Sequence, residues 1–177
     1  LQVEHPVSEC VTGLDLVEWQ LRIASGGAVP AQSDIAVIGH AIEARIYAED
    51  PSNDYLPCVG KVSAYYEHDV PGVRYDSGIE LGSEVGIYYD PMLSKVIASG
   101  QNREQARRRL VAALDRYVVA GLKTNRKFLV DVLSHRSFIE GRIDTGLLSQ
   151  DFDDWVPSFS QQDPGVSLAA LIAIQSS

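Results

Sequence analysis

The first six residues of the chain, Leu1 to Pro6, place several groups that can do chemistry beside one another. Glu4 offers a carboxylate that can act as a general base if its surroundings adjust its pKa. The side-chain amide of Gln2 and the backbone N–H of Val3 can hold a small planar anion by hydrogen bonds. The pattern alone also allows a simpler interpretation, in which Glu4 is an ordinary surface residue.

A second group with chemical potential is Arg45, which lies in the middle of a predicted strand, two residues after Glu43. A guanidinium group stays charged at any working pH and presents a rigid fork of donors. It therefore suits a carboxylate, or the oxygen of a developing enolate. The alternative is an ion pair within the sheet, between Arg45 and Glu43 or another acid.

A third candidate is Asp90, because a residue before a proline is restricted to extended geometry. Its carboxylate can orient Arg45, or it can simply form the turn into the next strand. Lys95, in that next strand, is interpreted as a surface lysine. The histidines have no spacing typical of a metal site or a catalytic triad; they are His5, His40, His68 and His135.

The composition limits the classes of function. The chain has 177 residues, enough for one domain with its own core, and a net charge of -9 with a pI of about 4.8. An acidic balance argues against nucleic-acid binding, which needs a basic face. Cys10 and Cys58 predict free thiols in a reducing compartment. The longest apolar stretch, residues 166–174, is shorter than the ~20 residues of a membrane span.

The groups at the start of the chain must be positioned by two predicted helices. A short helix is predicted from Pro6 to Thr12 and a longer one from Asp15 to Ser25. A loop follows from Val29 to Gly39. The second helix has an apolar face at helical spacing, formed by Leu14, Val17, Leu21 and Ala24.

Arg45 must be positioned by a strand, because residues His40 to Ala48 alternate. One set of side chains faces a core; these are Ile42, Ala44, Ile46 and Ala48. Glu43, Arg45 and Tyr47 share the other face. Further strands are predicted at Lys61–Glu67, Val73–Asp76, Val85–Tyr89 and Leu93–Ser99. Short connections between them favour an antiparallel sheet, and hence an α+β fold.

Helices are predicted again after residue 101. Asn102 is the predicted N-cap of a helix that Gly121 ends, with Arg107 to Arg109 as a solvated face or, alternatively, a docking patch. Its buried stripe consists of Ala106, Leu110, Ala113, Leu114 and Tyr117. Thr124 or Asn125 opens another helix, whose inward residues are Phe128, Leu129, Val132 and Leu133. Residues 151–177 are predicted to be a linker and the start of a following segment.

The order of these motifs resembles the biotin carboxylase part of the biotin-dependent carboxylases. The matching segments are Leu1–Pro6, Gly39–Pro51, Tyr89–Lys95 and Gly121–Asn125, and residues 144–148 resemble the usual end of that module. The resemblance covers roughly residues 1–150. It is closest to the alpha subunits of acyl-CoA carboxylases of the propionyl-CoA and 3-methylcrotonyl-CoA type.

The resemblance implies a role for each candidate. In the family, ATP and bicarbonate form carboxyphosphate, and the enolate of biotin captures the CO2 that it releases. Glu4 falls where the family places the base for bicarbonate, and Gln2 and Val3 fall where bicarbonate is held. Arg45 falls where an arginine stabilises the biotin enolate. Asp90 falls near the biotin pocket, and Arg74 falls in a region that resembles the family's dimer contact.

The resemblance also implies an organisation. Residues 1–38 correspond to the C-terminal remnant of an ATP-grasp domain, and residues 39–150 to the biotin carboxylase C-terminal domain. The cofactors implied are biotin, ATP and Mg2+ or Mn2+, with ATP and the metal bound mainly by an upstream part. No metal site is expected within this chain. We expect the chain to be part of a longer protein, because it begins inside a motif, and to be inactive by itself.

The implied partners are bicarbonate, a biotinylated carrier domain and a carboxyltransferase subunit, in a homo-oligomer located in the cytoplasm or the mitochondrial matrix. No nucleic acid or membrane is expected as a partner. Two alternatives stay open. The chain can be a non-catalytic docking or assembly module, or a part of a pyruvate, acetyl-CoA or urea carboxylase.

Overall fold

The computed structural model describes residues 1–157. The helix predicted at 166–174 and most of the predicted linker lie outside the described residues. Six α-helices are described: α1 (Pro6–Thr12), α2 (Leu16–Ala24), α3 (Arg103–Arg116), α4 (Arg126–Ser134), α5 (Arg136–Ile139) and α6 (Leu147–Asp151).

The strands of the described region pair in antiparallel fashion, as the sequence predicts. Their bounds are β1 (His40–Tyr47), β2 (Glu49–Asp50), β3 (Leu56–Pro57), β4 (Gly60–Lys61), β5 (Ala64–Tyr66), β6 (Val73–Ser77), β7 (Glu84–Val85), β8 (Met92–Gly100) and β9 (Val118–Ala120). The main sheet has the order β1-β8-β6, and two-stranded ladders join β2 to β3, β4 to β7 and β5 to β9. The α+β class with a mainly antiparallel sheet is confirmed.

The core lies between the main sheet and α3. Ala44 and Ile46 of β1 are buried there, and Arg45 lies between them on the opposite face. The predicted stripe of α3 is buried, because its residues recur at the period of a helix and face the sheet. Asn102 caps α3 as predicted, accepting a hydrogen bond from the Gln105 N–H at 3.0 Å.

The predicted end of this helix at Gly121 is wrong. α3 ends at Arg116, and the next residues form β9, which pairs with β5. Val118 and Val119 are β-branched residues that favour this extended conformation over another helical turn. The predicted strand from Lys61 to Glu67 is likewise divided into β4 and β5, each of which pairs with a different strand.

The strand predicted at Val85–Tyr89 ends at Val85. Ile87, Tyr88 and Tyr89 have residue types that favour strands, yet they are 76%, 88% and 90% exposed in a loop. β7 pairs only through Glu84 and Val85, so the following residues have no ladder to extend. We call residues 86–91 the Tyr88 loop.

α2 carries an exposed apolar face, which the sequence gave as one of two alternatives to its packing on the sheet. Val17 and Leu21 are 52% and 66% exposed, although α2 is amphipathic and is capped at Asp15 by the Glu18 N–H. α1, by contrast, packs on β1 and β8, on the face of the sheet opposite the core. α1 therefore brings the first residues of the chain towards Arg45.

Two glycines allow a close crossing of the backbone where β4 begins and β9 ends. Gly121 has a φ of +99°, and a Cβ at this position would lie 2.0 Å from the carbonyl oxygen of Lys61. A Cβ at Gly60 would lie 2.7 Å from the carbonyl oxygen of Gly121. The positive φ and both contacts exclude a side chain at Gly121.

Aromatic rings join the end of the described chain to α4. The Phe128 ring makes edge contacts with Tyr55, Phe152 and Trp155, at centroid distances of 5.6, 5.6 and 5.2 Å. Trp155 also donates a hydrogen bond to Asp131 at 3.0 Å. The first residues of the predicted linker thus pack against the domain, because they carry two aromatic side chains that bury surface on α4.

Candidate functional site

The strand β1 and the turn before α1 bring Glu4 and Arg45 together. Arg45 Nη2 donates to Glu4 Oε2 at 3.3 Å, and Arg45 Nε donates to Glu43 Oε1 at 3.1 Å. Glu43 is 7% exposed at its side chain, whereas Arg45 is 36% and Glu4 is 57% exposed. The ion pair with Glu43 that the sequence allowed for is thus present, and a second pair with Glu4 exists beside it.

Glu43 acts as the inner support of the Arg45 guanidinium. The hydrogen bond from Arg45 to Glu43 raises the pKa of the arginine further above its ordinary value, so the group stays charged. The second carboxylate oxygen of Glu43 is buried and has no hydrogen-bond partner among the described residues. An arginine held at Nε by a buried acid presents its outer nitrogens in a fixed direction.

The turn before α1 sets the position of Glu4. The backbone carbonyls of Gln2 and Glu4 accept hydrogen bonds from the N–H groups of His5 and Val7, and Pro6 begins α1. Gln2 and Val3 are exposed beside Glu4. The structure therefore brings Glu4 to Arg45 and leaves the Gln2 amide and the Val3 N–H on the surface next to them.

Asp90 lies in the Tyr88 loop and forms a local turn. Its carboxylate accepts a hydrogen bond from the Met92 N–H at 2.8 Å. Within residues 1–157, no hydrogen bond or ion pair joins Asp90 to Arg45. The described contact is the turn contact that the sequence gave as one of two alternatives.

Arg74 lies on the same face of the main sheet as Arg45. Its guanidinium donates to Asp76 at 2.6 Å and to Glu9 of α1 at 2.7 Å, and these bonds raise the pKa of Arg74, with Asp76 contributing most. Lys95 of β8 is opposite both Arg45 and Asp76 in the strand register, and its Nζ lies 3.6 Å from Asp76. This cation is therefore paired, as the interpretation of Lys95 as a surface residue requires.

A cavity of about 650 Å³ lies between α1 and this charged face. Gln2, Cys10, Arg74 and Lys95 are among its lining residues, and Glu4 and Arg45 are not. Burial raises the pKa of the Cys10 thiol, so Cys10 stays protonated at neutral pH. The position of Gln2 in this cavity separates its side chain from the contact between Glu4 and Arg45.

The sequence analysis missed the role of Asn125. Asn125 precedes α4 as predicted, but its side chain does not cap the helix. The amide instead donates to the Arg45 carbonyl at 3.1 Å and accepts from the Tyr47 N–H at 2.9 Å. Asn125 is 5% exposed, and a buried amide next to a predicted strand was the signal that its partners lie elsewhere.

The described part of the chain holds no group of three or more His, Cys, Asp or Glu residues that could bind a metal ion. Over the same residues, none of the helices combines the length and the apolar character needed to cross a membrane.

Comparisons with known proteins identify the family. The model of the biotin carboxylase C-terminal domain matches residues 43–150, which is more than half of the chain. The chain belongs to this family. Residues 1–32 match a second model, the ATP-binding domain of the carbamoyl-phosphate synthase L chain. The resemblance to biotin carboxylases that the motifs indicated is confirmed, and the chain corresponds to a part of a biotin carboxylase.

Relatives of this biotin carboxylase domain include carboxylases from distant organisms. The mitochondrial propionyl-CoA carboxylase alpha chain of Sus scrofa is 49% identical over 157 residues, covering 87% of this chain and 22% of that protein. The mitochondrial methylcrotonoyl-CoA carboxylase subunit alpha of Dictyostelium discoideum is 42% identical over 174 residues, covering 96% of this chain and 25% of that protein. The chain thus spans about a quarter or less of the curated relatives' length.

A solved structure gives the same fold. The biotin carboxylase domain dimer of Hydrogenobacter thermophilus 2-oxoglutarate carboxylase, in complex with MgADP, ADP and bicarbonate, is 34% identical with a TM-score of 0.86. The match covers 91% of this chain and 35% of that one.

Proposed function

We propose that this chain is the C-terminal part of an ATP-dependent biotin carboxylase, which carboxylates biotin with bicarbonate within an acyl-CoA carboxylase. The observation that supports this most is the contact between Glu4 and Arg45 at 3.3 Å. It joins the segment similar to an ATP-binding domain to the segment similar to the biotin carboxylase C-terminal domain. A site at such a boundary receives reactants from both sides.

In this proposal Glu4 accepts the proton of bicarbonate, while the Gln2 amide and the Val3 N–H hold the anion. The side chain of Glu4 is half exposed, so a small ligand can reach it. Arg45 stabilises the oxygen of the biotin enolate with the outer part of its guanidinium, since Glu43 already occupies Nε. Asp90 contributes to the biotin pocket through the conformation of the Tyr88 loop.

The residues of the chain fit some of the implied groups better than others. A fixed guanidinium suits the enolate that biotin supplies when it is bound. ATP and its Mg2+ or Mn2+ have no comparable set of residues in the described part of the chain, which holds no metal-binding group of acids and histidines. We infer that they bind mainly to other parts of the protein, and that this chain alone is inactive.

The acyl acceptor is proposed from the relatives, whose names specify propionyl-CoA and methylcrotonoyl-CoA carboxylases of mitochondria. A biotinylated carrier domain and a carboxyltransferase subunit would be the partners, in the mitochondrial matrix. The comparison domain is a dimer, and Arg74, which is about half exposed, would lie at the equivalent contact. A pyruvate, acetyl-CoA or urea carboxylase is the alternative in the same enzyme class.

A chimaera tests this proposal. The matching 157 residues of the Sus scrofa alpha chain are replaced by this chain, and ATP cleavage dependent on bicarbonate and free biotin is measured. Activity should persist, and Glu4→Gln or Arg45→Ala should each lower kcat by about 100-fold or more. Glu18→Gln is the control, because it removes an exposed acid that pairs only with Arg22.

Full activity of the chimaera with either site substitution would contradict the proposed roles. Activity that is lost equally with Glu18→Gln would do the same. The alternative of a docking or assembly module predicts that the chimaera associates with the carboxyltransferase subunit but does not cleave ATP.

A further inference from the structure

A groove of about 580 Å³ lies between the turn that follows β2 and the segment that follows α6. Tyr55, Phe152 and Trp155 form its aromatic walls. All three rings make edge contacts with the ring of Phe128, which is buried in α4. The walls are therefore held by one central ring, while Tyr55 remains 39% exposed towards solvent. The volume is that of a site for a small ligand or a short segment of peptide.

The rim of this groove is acidic and carries no compensating charge. Asp54, Asp153 and Asp154 line it, and no Lys or Arg is among the described residues that do so. Within residues 1–157, none of these three carboxylates takes part in an ion pair. Nearby acids differ, since Asp50 is paired with Lys123 and Asp151 lies 3.4 Å from His135.

The negative charge reaches the aromatic wall itself. Burial raises the pKa of the Tyr55 hydroxyl, and the charges of Glu49, Asp153 and Asp54 raise it further. Tyr55 is therefore neutral at physiological pH, and its ring lies in a field that attracts cations. An arginine guanidinium suits this arrangement, because it stacks on aromatic faces and forms paired hydrogen bonds with carboxylates.

The remainder of the chain does not supply that cation. Arg142 is the last basic residue, and residues 143–177 contain neither lysine nor arginine. We propose that the groove, lined by Tyr55, Trp155 and the three unpaired aspartates, binds an arginine-bearing segment of a partner polypeptide. The guanidinium stacks on the aromatic wall and pairs with the rim, and apolar neighbours in the segment contact Phe152.

The two tryptophans of the chain make the test specific. Trp155 is in the groove, and Trp19 is in α2 and serves as an internal reference. The 15N-labelled chain is titrated with acetyl-Leu-Arg-Leu-Arg-Leu-amide while the two indole N–H signals are followed by NMR. The Trp155 signal should shift and saturate, and the Trp19 signal should not. The peptides with glutamate or alanine in place of arginine should leave both signals unchanged.

A charge variant identifies the rim. Asp153→Asn combined with Asp154→Asn should weaken binding of the arginine peptide by about fivefold, the effect of losing two exposed charge pairs. Glu18→Gln is the matched control and should bind with wild-type affinity. Asp54→Asn is a second, independent variant for use if the double variant does not fold, which its NMR spectrum reports directly.

The proposal fails if the arginine peptide gives no saturable shift at Trp155, or if it shifts both tryptophans alike. It also fails if the alanine peptide binds equally well, since the groove then recognises only apolar surface. Wild-type affinity in a folded aspartate variant would be equally decisive against it. None of these outcomes depends on the proposed carboxylase activity, because the assay measures binding alone.

Discussion

Asn125 is hydrogen-bonded to the backbone of Arg45 at 3.1 Å, across 80 residues of sequence. The same amide accepts the N–H of Tyr47 at 2.9 Å, so one side chain spans two peptide groups of β1. The strand pairs with β8 along one edge and with this amide along the other. Asn125 therefore fixes the segment of strand from which the Arg45 guanidinium extends.

Replacing Asn125 by alanine should lower the free energy of unfolding by about 2 to 4 kcal/mol, because it leaves two buried peptide groups without partners. Urea denaturation measures this. Asn102→Ala is the matched control, since Asn102 only caps α3, and its loss should cost about 1 kcal/mol. Equal losses in the two variants would show that Asn125 acts as no more than a helix cap.

The two acids that contact Arg45 should contribute unequally to stability. A double-mutant cycle with Glu43→Gln and Arg45→Ala should give a coupling of about 1 to 3 kcal/mol, because the carboxylate of Glu43 is buried. The cycle with Glu4→Gln should give less than about 0.5 kcal/mol, because Glu4 is exposed. A larger coupling for Glu4 would mean that the buried acid is not the main support of the arginine.

Glu104 should titrate far below an ordinary glutamate. Hydrogen bonds from Arg107 and, to a smaller degree, Arg108 lower its pKa to about 2. The stabilising effect of this carboxylate is present above the unfolded-state pKa near 4.5 and is lost as the pH falls through about 2. NMR titration of the side-chain carboxyl carbon in the wild-type chain and in arginine variants tests this.

Arg107→Ala should raise the pKa of Glu104 more than Arg108→Ala does. Arg109→Ala is the control, because Arg109 donates to the Ser99 carbonyl instead, and it should leave that pKa unchanged. An ordinary pKa for Glu104 in the wild-type chain would contradict the paired geometry.

The Tyr88 loop should be the first site of cleavage by chymotrypsin, because Tyr88 and Tyr89 are exposed and lie outside any strand. Mass spectrometry of a brief digest should find fragments that end at one of these tyrosines. Replacing both by serine should slow the first cut. Early cleavage at Tyr117 instead would be incompatible with the fold, since that side chain is buried in the core.

The sequence predicted the elements whose pattern is complete within themselves. β1 alternates and α3 repeats its apolar residues at helical spacing, so local periodicity identifies both. The strand at Val85–Tyr89 was wrong because β-branched and aromatic residue types do not reveal whether a partner strand is present. The helix end was wrong because β9 depends on β5, which lies more than 50 residues earlier.

The candidate site was predictable only in part. Glu4 and Arg45 are 41 residues apart, and no local pattern states that they meet. The resemblance to biotin carboxylases carried that expectation, whereas Glu43 was visible as a neighbour on the same strand face. Asn125 escaped because a polar residue before a helix usually caps it, and only the folded chain shows that its amide turns to β1.

The crossing of Gly60 and Gly121 restricts how this domain can vary during evolution. A side chain at either position would meet the backbone of the other segment, and backbone atoms cannot be exchanged for smaller ones. A second substitution therefore cannot rescue the first, as it can in a core made of side chains. In a saturation library selected for folded protein, position 121 should retain glycine alone, even where the surrounding sequence diverges freely.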